Sequence, residues 1–334
     1  MRRRLWRRDA VAGLLALMAV GCGDAHRAPP APALSATAEI KGLDNPFFVT
    51  MRQGLVETAR RHGVHLTVSA AANLDDTVGQ ASALEALAGK GAGCYIVNPI
   101  DTTNLIQPLT QVPAGVPIVN IDSPVDRTAA RAVGVRINTY IGTDNLAAGR
   151  LAAAGMAGQV RRGARVHVIT GIPGDATSEE RARGFQAASK GRFSVADPVA
   201  ADFDREEAAA AAQHLLSTDR RLAGIFAVND EMALGVSDAV RAARRPDVRV
   251  IGVDGIPEAL QAVRRGSLTA TVAQYPYTIG QLAVEACAAH QRGGRVPATI
   301  HAPVKLVDAR NVRQALARFP RPVGMFRDPL VAPG

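Results

Sequence analysis

Short apolar runs of strand length recur along the chain, and most of them end on a polar side chain. Alanine-rich segments of helical length separate the runs, so the pattern is β-α-β-α. This alternation predicts an α/β fold built on parallel sheets. Because the carboxyl ends of parallel strands share one crevice, we expect the terminal polar side chains to collect there. The residues that directly follow predicted strands are Asn98, Asp122, Asn229, Asp254 and Gln274.

The length of 334 residues is sufficient for two domains with a core each. A charged fraction of 21% and a hydrophobic fraction of 47% are typical of a globular chain. Residues 1–21 contain five Arg and one Asp, a net charge of +4, which leaves +5 of the total +9 for the remainder. No basic run is interleaved with aromatic residues, so we expect no nucleic-acid partner.

The N-terminal residues have the plan of a secretory signal, with arginines first, then a short apolar run and small residues. The segment Met18–Cys22 resembles a bacterial lipobox, with Ala19 at the position where Leu is usual. We therefore expect a lipoprotein signal peptide at 1–21, lipidation of Cys22 and a flexible tether at 22–34. The expected location is periplasmic or at the cell surface, anchored through the lipid. An ordinary signal peptide cut near Cys22 is the alternative.

The sequence contains none of the common catalytic motifs. It has no Gly-x-Ser-x-Gly elbow, no phosphate-binding Walker loop and no His-Glu-x-x-His helix, and its seven histidines are scattered. Gly171–Asp175 follows a predicted strand but lacks the spacing of a dinucleotide fingerprint. We therefore expect no enzyme activity, no metal and no other cofactor. Cys94 and Cys287 fall in a predicted strand and a predicted helix, and we expect buried thiols there rather than a disulfide.

Aromatic residues stand at the starts of two predicted helices. Asn45 and Pro46 open a helix that carries Phe47 and Phe48, and Phe203 follows a later strand. Two adjacent aromatics at a helix start should not both point inward, so we expect one on the core and one in the crevice. Sugar rings present C–H faces that pack well on aromatic faces. The alternative for each residue is an ordinary core position.

The polar candidates are of three kinds. Asp122 and Asp254 accept hydrogen bonds, and Arg181 donates them from a planar fork. The amides both donate and accept, and they are Asn98, Asn229 and Gln274. This mixture suits a neutral polyol better than an anion, which would call for an excess of cations. Each residue also has a simpler interpretation. Asn229 suits a helix N-cap, the two aspartates suit turns, and Arg181 suits a solvated helix face. Their joint placement after successive strands favours a binding pocket.

With their flanking segments, these residues resemble the periplasmic sugar-binding proteins of bacterial ABC transporters, type I fold, in the ribose-binding group. The resemblance covers about Ile40–Val307. It rests on motifs that occur in the family's order and spacing, namely Asn45–Phe48, Asn98–Pro99, Ala201–Arg205, Asn229–Gly235, Gly252–Gly255 and Ala273–Gln274.

The resemblance implies two Rossmann-like parallel-sheet domains joined by a three-crossing hinge. The N-terminal domain would comprise 35–143 plus 275–303, and the C-terminal domain 144–274 plus 304–320. Phe48 and Phe203 would be stacking platforms. The implied sugar-binding residues are Asn45, Phe47, Phe48, Asn98, Asp122, Arg181, Phe203, Asn229, Asp254 and Gln274.

The implied function is that of a monomeric substrate-binding lipoprotein of an ABC sugar importer. It would capture a pentose or hexose by cleft closure and deliver it to the transmembrane permease subunits. The alternative is a sugar sensor whose closed form docks on a chemoreceptor or a sensor kinase. Two positions depart from the ribose-binding pattern, because Ser123 replaces an Arg and Val253 replaces a Phe. Both changes enlarge the expected pocket and argue against ribose itself.

Overall fold

Strands and helices alternate along residues 34–330, the part of the chain that this computed structural model describes. The predicted signal peptide at 1–21 and the predicted lipidation site Cys22 lie outside these residues. The predicted tether at 22–34 also lies outside them, except for Leu34. The strands form two sheets, as the β-α-β-α pattern predicts.

The first sheet has six parallel strands, and both of its faces are covered. The strand Tyr95–Val97 shows this, because its alternate residues lie in different hydrophobic clusters. Ile96 packs with helices on one face of the sheet, whereas Tyr95 and Val97 belong to a separate cluster on the other face. The strands in spatial order are β12 (Thr299–Ala302), β5 (Thr139–Thr143), β4 (Ile118–Ile121), β3 (Tyr95–Val97), β1 (Ser35–Ile40) and β2 (His65–Ala70). Its helices are α1 (Pro46–His62), α2 (Thr77–Ala88), α3 (Ile106–Leu109), α4 (Arg127–Ala132) and α10 (Pro276–Gln291).

The second sheet has seven strands. All are parallel except Lys305–Asp308, which runs antiparallel to its neighbour Ala270–Ala273. In spatial order they are β13 (Lys305–Asp308), β11 (Ala270–Ala273), β10 (Arg249–Asp254), β9 (Leu222–Ala227), β6 (Arg165–Thr170) and β7 (Ser194–Val195), with β8 (Val199–Ala200) also pairing with β6. Its helices are α5 (Asn145–Ala157), α6 (Ala176–Ser189), α7 (Arg205–Thr218), α8 (Asp230–Ala242), α9 (Pro257–Arg265) and α11 (Val312–Arg318).

The chain passes between the two sheets three times. It leaves the first sheet after β5, returns after β11 and leaves again between β12 and β13. Two parallel-sheet α/β domains joined by three crossings are therefore present, as the fold class predicts. The residue-level domain boundaries given above stay a prediction.

Carboxamide and carboxylate caps begin most of the helices that follow strands. In α1, α2, α4, α5, α6, α7 and α8, an Asn or Asp side chain accepts a hydrogen bond from a backbone N–H of the first turn. Asp144 directly follows β5, and the other caps lie two to six residues after the end of a strand, so they bring polar side chains towards the carboxyl edges of the sheets.

Several predicted elements differ from the structure. The predicted strand 194–201 is split into β7 and β8, and Pro198 between them lacks the N–H that a ladder needs. Strands β5, β12 and β13 were not predicted, and each is four or five residues long. The segment 124–139 was predicted as a loop but contains α4, which begins after the N-cap Asp126.

The prediction of two buried thiols at Cys94 and Cys287 is wrong, because the two residues form a disulfide. Cys94 directly precedes β3 and Cys287 lies in α10, and both are fully buried. The two cysteines are separated by 193 positions in the sequence, a span that includes the whole second sheet up to β11. The bond therefore joins two parts of the first domain that the sequence separates widely.

Among residues 34–330, no helix has both the length and the hydropathy needed to cross a membrane.

Candidate functional site

The carboxyl edges of the two sheets face a common cleft that encloses a cavity. Seven of its lining residues follow strands of the first sheet, and seven belong to the second domain. They are Lys41, Asn45, Phe47, Phe48, Leu74, Ile100 and Asp122, and Ile172, Asp175, Thr177, Arg181, Phe203, Asn229 and Asp254. A concave site between two domains, lined by aromatic and apolar side chains with a few polar groups, is typical of small-molecule binding.

Two adjacent aromatic side chains form one wall of the cleft at the start of α1. Asn45 caps this helix by accepting a 2.9 Å hydrogen bond from the backbone N–H of Phe47. Phe47 and Phe48 are both buried, both line the cavity and contact each other edge to face, with ring centroids 5.2 Å apart. The expectation that only one of them faces the crevice is wrong.

Phe203 contributes an aromatic side chain from the second domain. It lies before α7 in a left-handed backbone conformation, with a φ of 63°, which is unusual for a bulky residue. Its ring packs on Gly171, where an added Cβ would lie 2.3 Å from Cζ of the ring. A strained backbone and a glycine contact thus hold this ring at the cleft.

The cleft contains two buried aspartates whose backbones are also left-handed. The φ angles are 59° at Asp122 and 136° at Asp254. Burial raises the pKa of both carboxyls, and the positive charge of Arg181 opposes the rise in each case. Lys41 opposes it further at Asp122. Hydroxyl donors from a ligand would favour the charged forms of both groups.

Arg181 is held in place by groups of its own domain. Its Nε donates to Oδ1 of Asn145 at 2.9 Å, and its Nη1 donates to the carbonyl of Val228 at 2.9 Å. The same Nη1 lies 3.8 Å from Oδ1 of Asp254. Arg181 is 5% exposed, so it is not a solvated charge on a helix face.

The three amide candidates occupy different places. Asn229 lines the cavity and also caps α8, where its Oδ1 accepts from the backbone N–H of Met232 at 2.9 Å. Asn98 and Gln274 lie behind the lining residues. Asn98 accepts from the backbone N–H of Ser123 at 3.3 Å, and Gln274 donates to Asp254 at 2.7 Å.

Six lining residues were not predicted, and they share no single signal. Lys41 directly follows β1, so the strand-end rule applies to it, but a lysine is not typical of a site for neutral polyols. Asp175 ends the segment Gly171–Asp175, which was considered only as a nucleotide motif, and Thr177 lies just after it in the first turn of α6. The other three are aliphatic side chains in loops: Leu74, Ile100 and Ile172.

The chemistry of the cleft is that of binding. It combines three aromatic rings with carboxylates, amides and a guanidinium, which together match the C–H faces and hydroxyl edges of a polyol. Within residues 34–330, no cluster of three or more His, Cys, Asp or Glu side chains has the arrangement of a metal site.

Comparisons with known proteins agree with this architecture. The family model of the periplasmic binding protein domain matches residues 40–295. The chain is 35% identical over 268 residues to the ribose import binding protein of Bacillus subtilis, covering 80% of this chain and 85% of that protein. It is 33% identical over 283 residues to the D-allose-binding periplasmic protein of Escherichia coli, covering 82% of this chain and 90% of that one.

Solved structures of solute-binding proteins of ABC transporters are also similar to this chain. An ABC transporter solute-binding protein from Actinobacillus succinogenes with bound D-allose superimposes with a TM-score of 0.80 at 29% identity, covering 84% of this chain and 99% of that one. One from Bacillus halodurans with bound myo-inositol has a TM-score of 0.77 at 26% identity, covering 85% of this chain and 98% of that one.

Two parallel-sheet domains joined by three crossings are the architecture of type I periplasmic binding proteins. The chain belongs to this family, and within it to the sugar-binding proteins of bacterial ABC transporters. The family and these relatives are substrate-binding proteins, not enzymes, and membership implies export to the periplasm.

Proposed function

We propose that this protein captures a neutral monosaccharide in the cleft and delivers it to the permease of an ABC importer. The observation that carries the proposal is that both domains supply aromatic and hydrogen-bonding side chains to one buried cavity. Closure of the domains excludes water and strengthens each hydrogen bond to the ligand. The closed shape is then the form that a permease recognises.

The proposed ligand contacts divide into three roles. Phe47, Phe48 and Phe203 offer aromatic surfaces for the sugar ring. Asp122 and Asp254 accept from hydroxyl groups, whereas Arg181 donates to them. The amides complete the set by direct contact or by orienting the carboxylates: Asn45, Asn98, Asn229 and Gln274.

The relatives suggest which sugars to test first. Proteins named for ribose and allose are similar over four fifths of this chain. The proposed ligand is an aldohexose or a related polyol rather than ribose, because Ser123 offers a short hydroxyl where the ribose-binding pattern has a forked donor. Ser123 is buried, and among residues 34–330 its Oγ has no hydrogen-bond partner.

Three further features belong to the same proposal. Cys22 is the proposed lipid attachment site, which would hold the mature protein at a membrane within reach of the permease. The proposed functional unit is a monomer, because one chain supplies both walls of the cleft. The domain boundaries at 143/144, 274/275 and 303/304 are proposed as the hinge.

The first experiment is calorimetric unfolding of the full chain with a panel of aldoses, ketoses and polyols, including D-ribose, D-allose and myo-inositol. A ligand at a hundred times its Kd adds about 2.7 kcal/mol to the stability, which raises Tm by several degrees. We expect such a shift with one or two neutral sugars. No shift across the panel would overturn the proposed sugar-binding function.

A further inference from the structure

Two oppositely charged side chains meet across the cleft. Lys41 directly follows β1 of the first sheet, and Asp175 directly precedes α6 in the second domain. Nζ of Lys41 lies 4.0 Å from Oδ2 of Asp175, and the two side chains are only 8% and 10% exposed. Both residues line the cavity, so this ion pair belongs to the wall that a ligand would contact.

The carboxylate of Asp175 is fixed by its own domain. Its Oδ1 accepts from the backbone N–H of Ser178 at 2.8 Å, which caps α6, and from Oγ1 of Thr177 at 2.6 Å. The other oxygen, Oδ2, is the one that faces Lys41. A carboxylate tied to a helix cap cannot turn away from the lysine without uncapping the helix.

The ammonium of Lys41 lies where a charged ligand group would seek a partner. It stands 5.9 Å from the ring centroid of Phe48, which is proposed to face the sugar. Its charge also acts on Asp122, whose pKa it lowers against the effect of burial. The lysine is therefore the cation of the first domain that an acidic sugar would meet.

The second cation of the cleft already has partners. Arg181 faces Asp254 at 3.8 Å and donates to groups of its own domain. Each cation that lines the cavity thus faces a carboxylate, and the lining contains three carboxylates against two cations. An anionic ligand would have to displace one of these partners while it desolvates its own charge, which is unfavourable.

We propose that Asp175 is a specificity residue, which excludes acidic sugars from the cleft by pairing with Lys41 from the opposite domain. This inference rests on the proposed sugar-binding function and adds the class of ligand that the cleft rejects. Without the carboxylate of Asp175, the buried ammonium of Lys41 loses its ion-pair partner, and Asp122 is the carboxyl of the cleft on which its charge still acts. The carboxylate of an aldonic or uronic acid would then supply that partner.

The test compares neutral and acidic ligands, and D-allose with D-alluronate is the pair that shares one pyranose ring. Isothermal titration calorimetry of the full chain would use D-ribose and D-allose against D-ribonate, D-allonate and D-alluronate. The variant is Asp175→Asn, because the amide oxygen still caps α6 while the charge is lost. We expect the ratio of acid to neutral-sugar association constants to rise by about tenfold or more over that of the wild type.

Three further variants make the result specific. Lys41→Met added to Asp175→Asn should abolish the gain for the acids, because the cation that attracts them is gone. Asp101→Asn is the matched control, since Asp101 is an exposed carboxylate at the wider mouth of the cleft. Asp175→Ser, an uncharged residue that also caps helices, replaces the amide variant should that one fail to fold.

The possible outcomes separate this inference from the proposed function. If the wild type binds a neutral sugar and Asp175→Asn leaves the acid-to-neutral ratio unchanged, the specificity role of Asp175 is wrong and the sugar-binding function stands. If no neutral sugar binds the wild type, the proposed function fails and this inference fails with it.

Discussion

The side-chain amide of Gln274 donates a 2.7 Å hydrogen bond to Oδ1 of Asp254. Gln274 directly follows β11, at the point where the chain returns to the first sheet, whereas Asp254 ends β10 and lines the cavity. The hydrogen bond therefore joins one of the three crossings to a carboxylate of the cleft. A ligand that contacts Asp254 is coupled through one hydrogen bond to the proposed hinge.

Asp254→Ala removes the partner of both Gln274 and Arg181. Losing a hydrogen bond from a sugar hydroxyl to a charged acceptor costs about 1.5–3 kcal/mol of binding free energy. We expect the Kd of the tightest sugar to rise by at least about tenfold in isothermal titration calorimetry. Asp197→Ala, which changes an exposed carboxylate of the same domain, should leave the Kd unchanged. Wild-type affinity in the Asp254 variant would remove this residue from the site.

The strand-end rule explains why much of the cleft was predictable. Where an apolar run stops on a polar residue, the parallel sheet brings that residue to the carboxyl edge whatever the details of packing. Asp122, Asn229 and Asp254 were found in this way, and all three line the cavity. The same position also explains the ambiguity of Asn229, because a residue between a strand and a helix both faces the cleft and caps the helix.

The features that were missed depend on distances between segments far apart in sequence. The disulfide of Cys94 and Cys287 requires α10 to return to the first sheet after the whole second domain has been built. The pair of Lys41 and Asp175 forms only because two different sheets share the cleft. Neither contact has a local sequence signal, since hydrophobic periodicity reports only the face of a single element.

Glu39 should make the stability of the protein depend on pH. It lies in β1 and is fully buried, and a side-chain hydrogen bond with Ser69 only partly offsets the cost of burying its charge. Burial raises the pKa of Glu39 from 4.5 to about 7. The folded state thus binds the proton more tightly than the unfolded state. The contribution of Glu39 to stability is complete below about pH 4.5 and is lost as the pH rises through about 7.

Glu39→Gln keeps the shape of the side chain and cannot ionise. We expect the free energy of unfolding of the variant to exceed that of the wild type by more at pH 8 than at pH 4.5. The excess at pH 8 should be larger than that at pH 4.5 by up to about 3 kcal/mol. Urea denaturation at the two pH values measures it. Glu85→Gln, an exposed position on α2, is the matched control and should show no such difference. An equal effect of Glu39→Gln at both pH values would contradict the assignment.

The disulfide should stabilise the first domain without affecting the ligand. A cross-link that closes a long loop restricts the unfolded chain, and its loss costs about 2–5 kcal/mol. We expect the variant with Cys94→Ala and Cys287→Ala to unfold at lower urea, and the wild type to behave similarly under reducing conditions. Neither cysteine lines the cavity, so the Kd for sugar should stay within about threefold. Unchanged stability in both samples would contradict this role.

Gly171 should matter through the ring that it supports. It directly follows β6, and its missing side chain leaves the space into which the ring of Phe203 packs. Gly171→Ala would push the ring away from its position, because the new Cβ would lie 2.3 Å from Cζ. An aromatic contact is worth about 0.5–1.5 kcal/mol beyond its burial, so we expect the Kd for sugar to rise by up to about tenfold.

Two comparisons decide whether Phe203 mediates this effect. Gly158→Ala, at the end of α5, is the matched control, because its new Cβ has no atom nearer than 3.5 Å and should leave binding unchanged. In a Phe203→Ala background the ring is absent, so adding Gly171→Ala should cost no further affinity. If the glycine change still weakens binding there, it acts through the loop before α6 rather than through the ring, and Phe203 loses its role as a stacking platform positioned by Gly171.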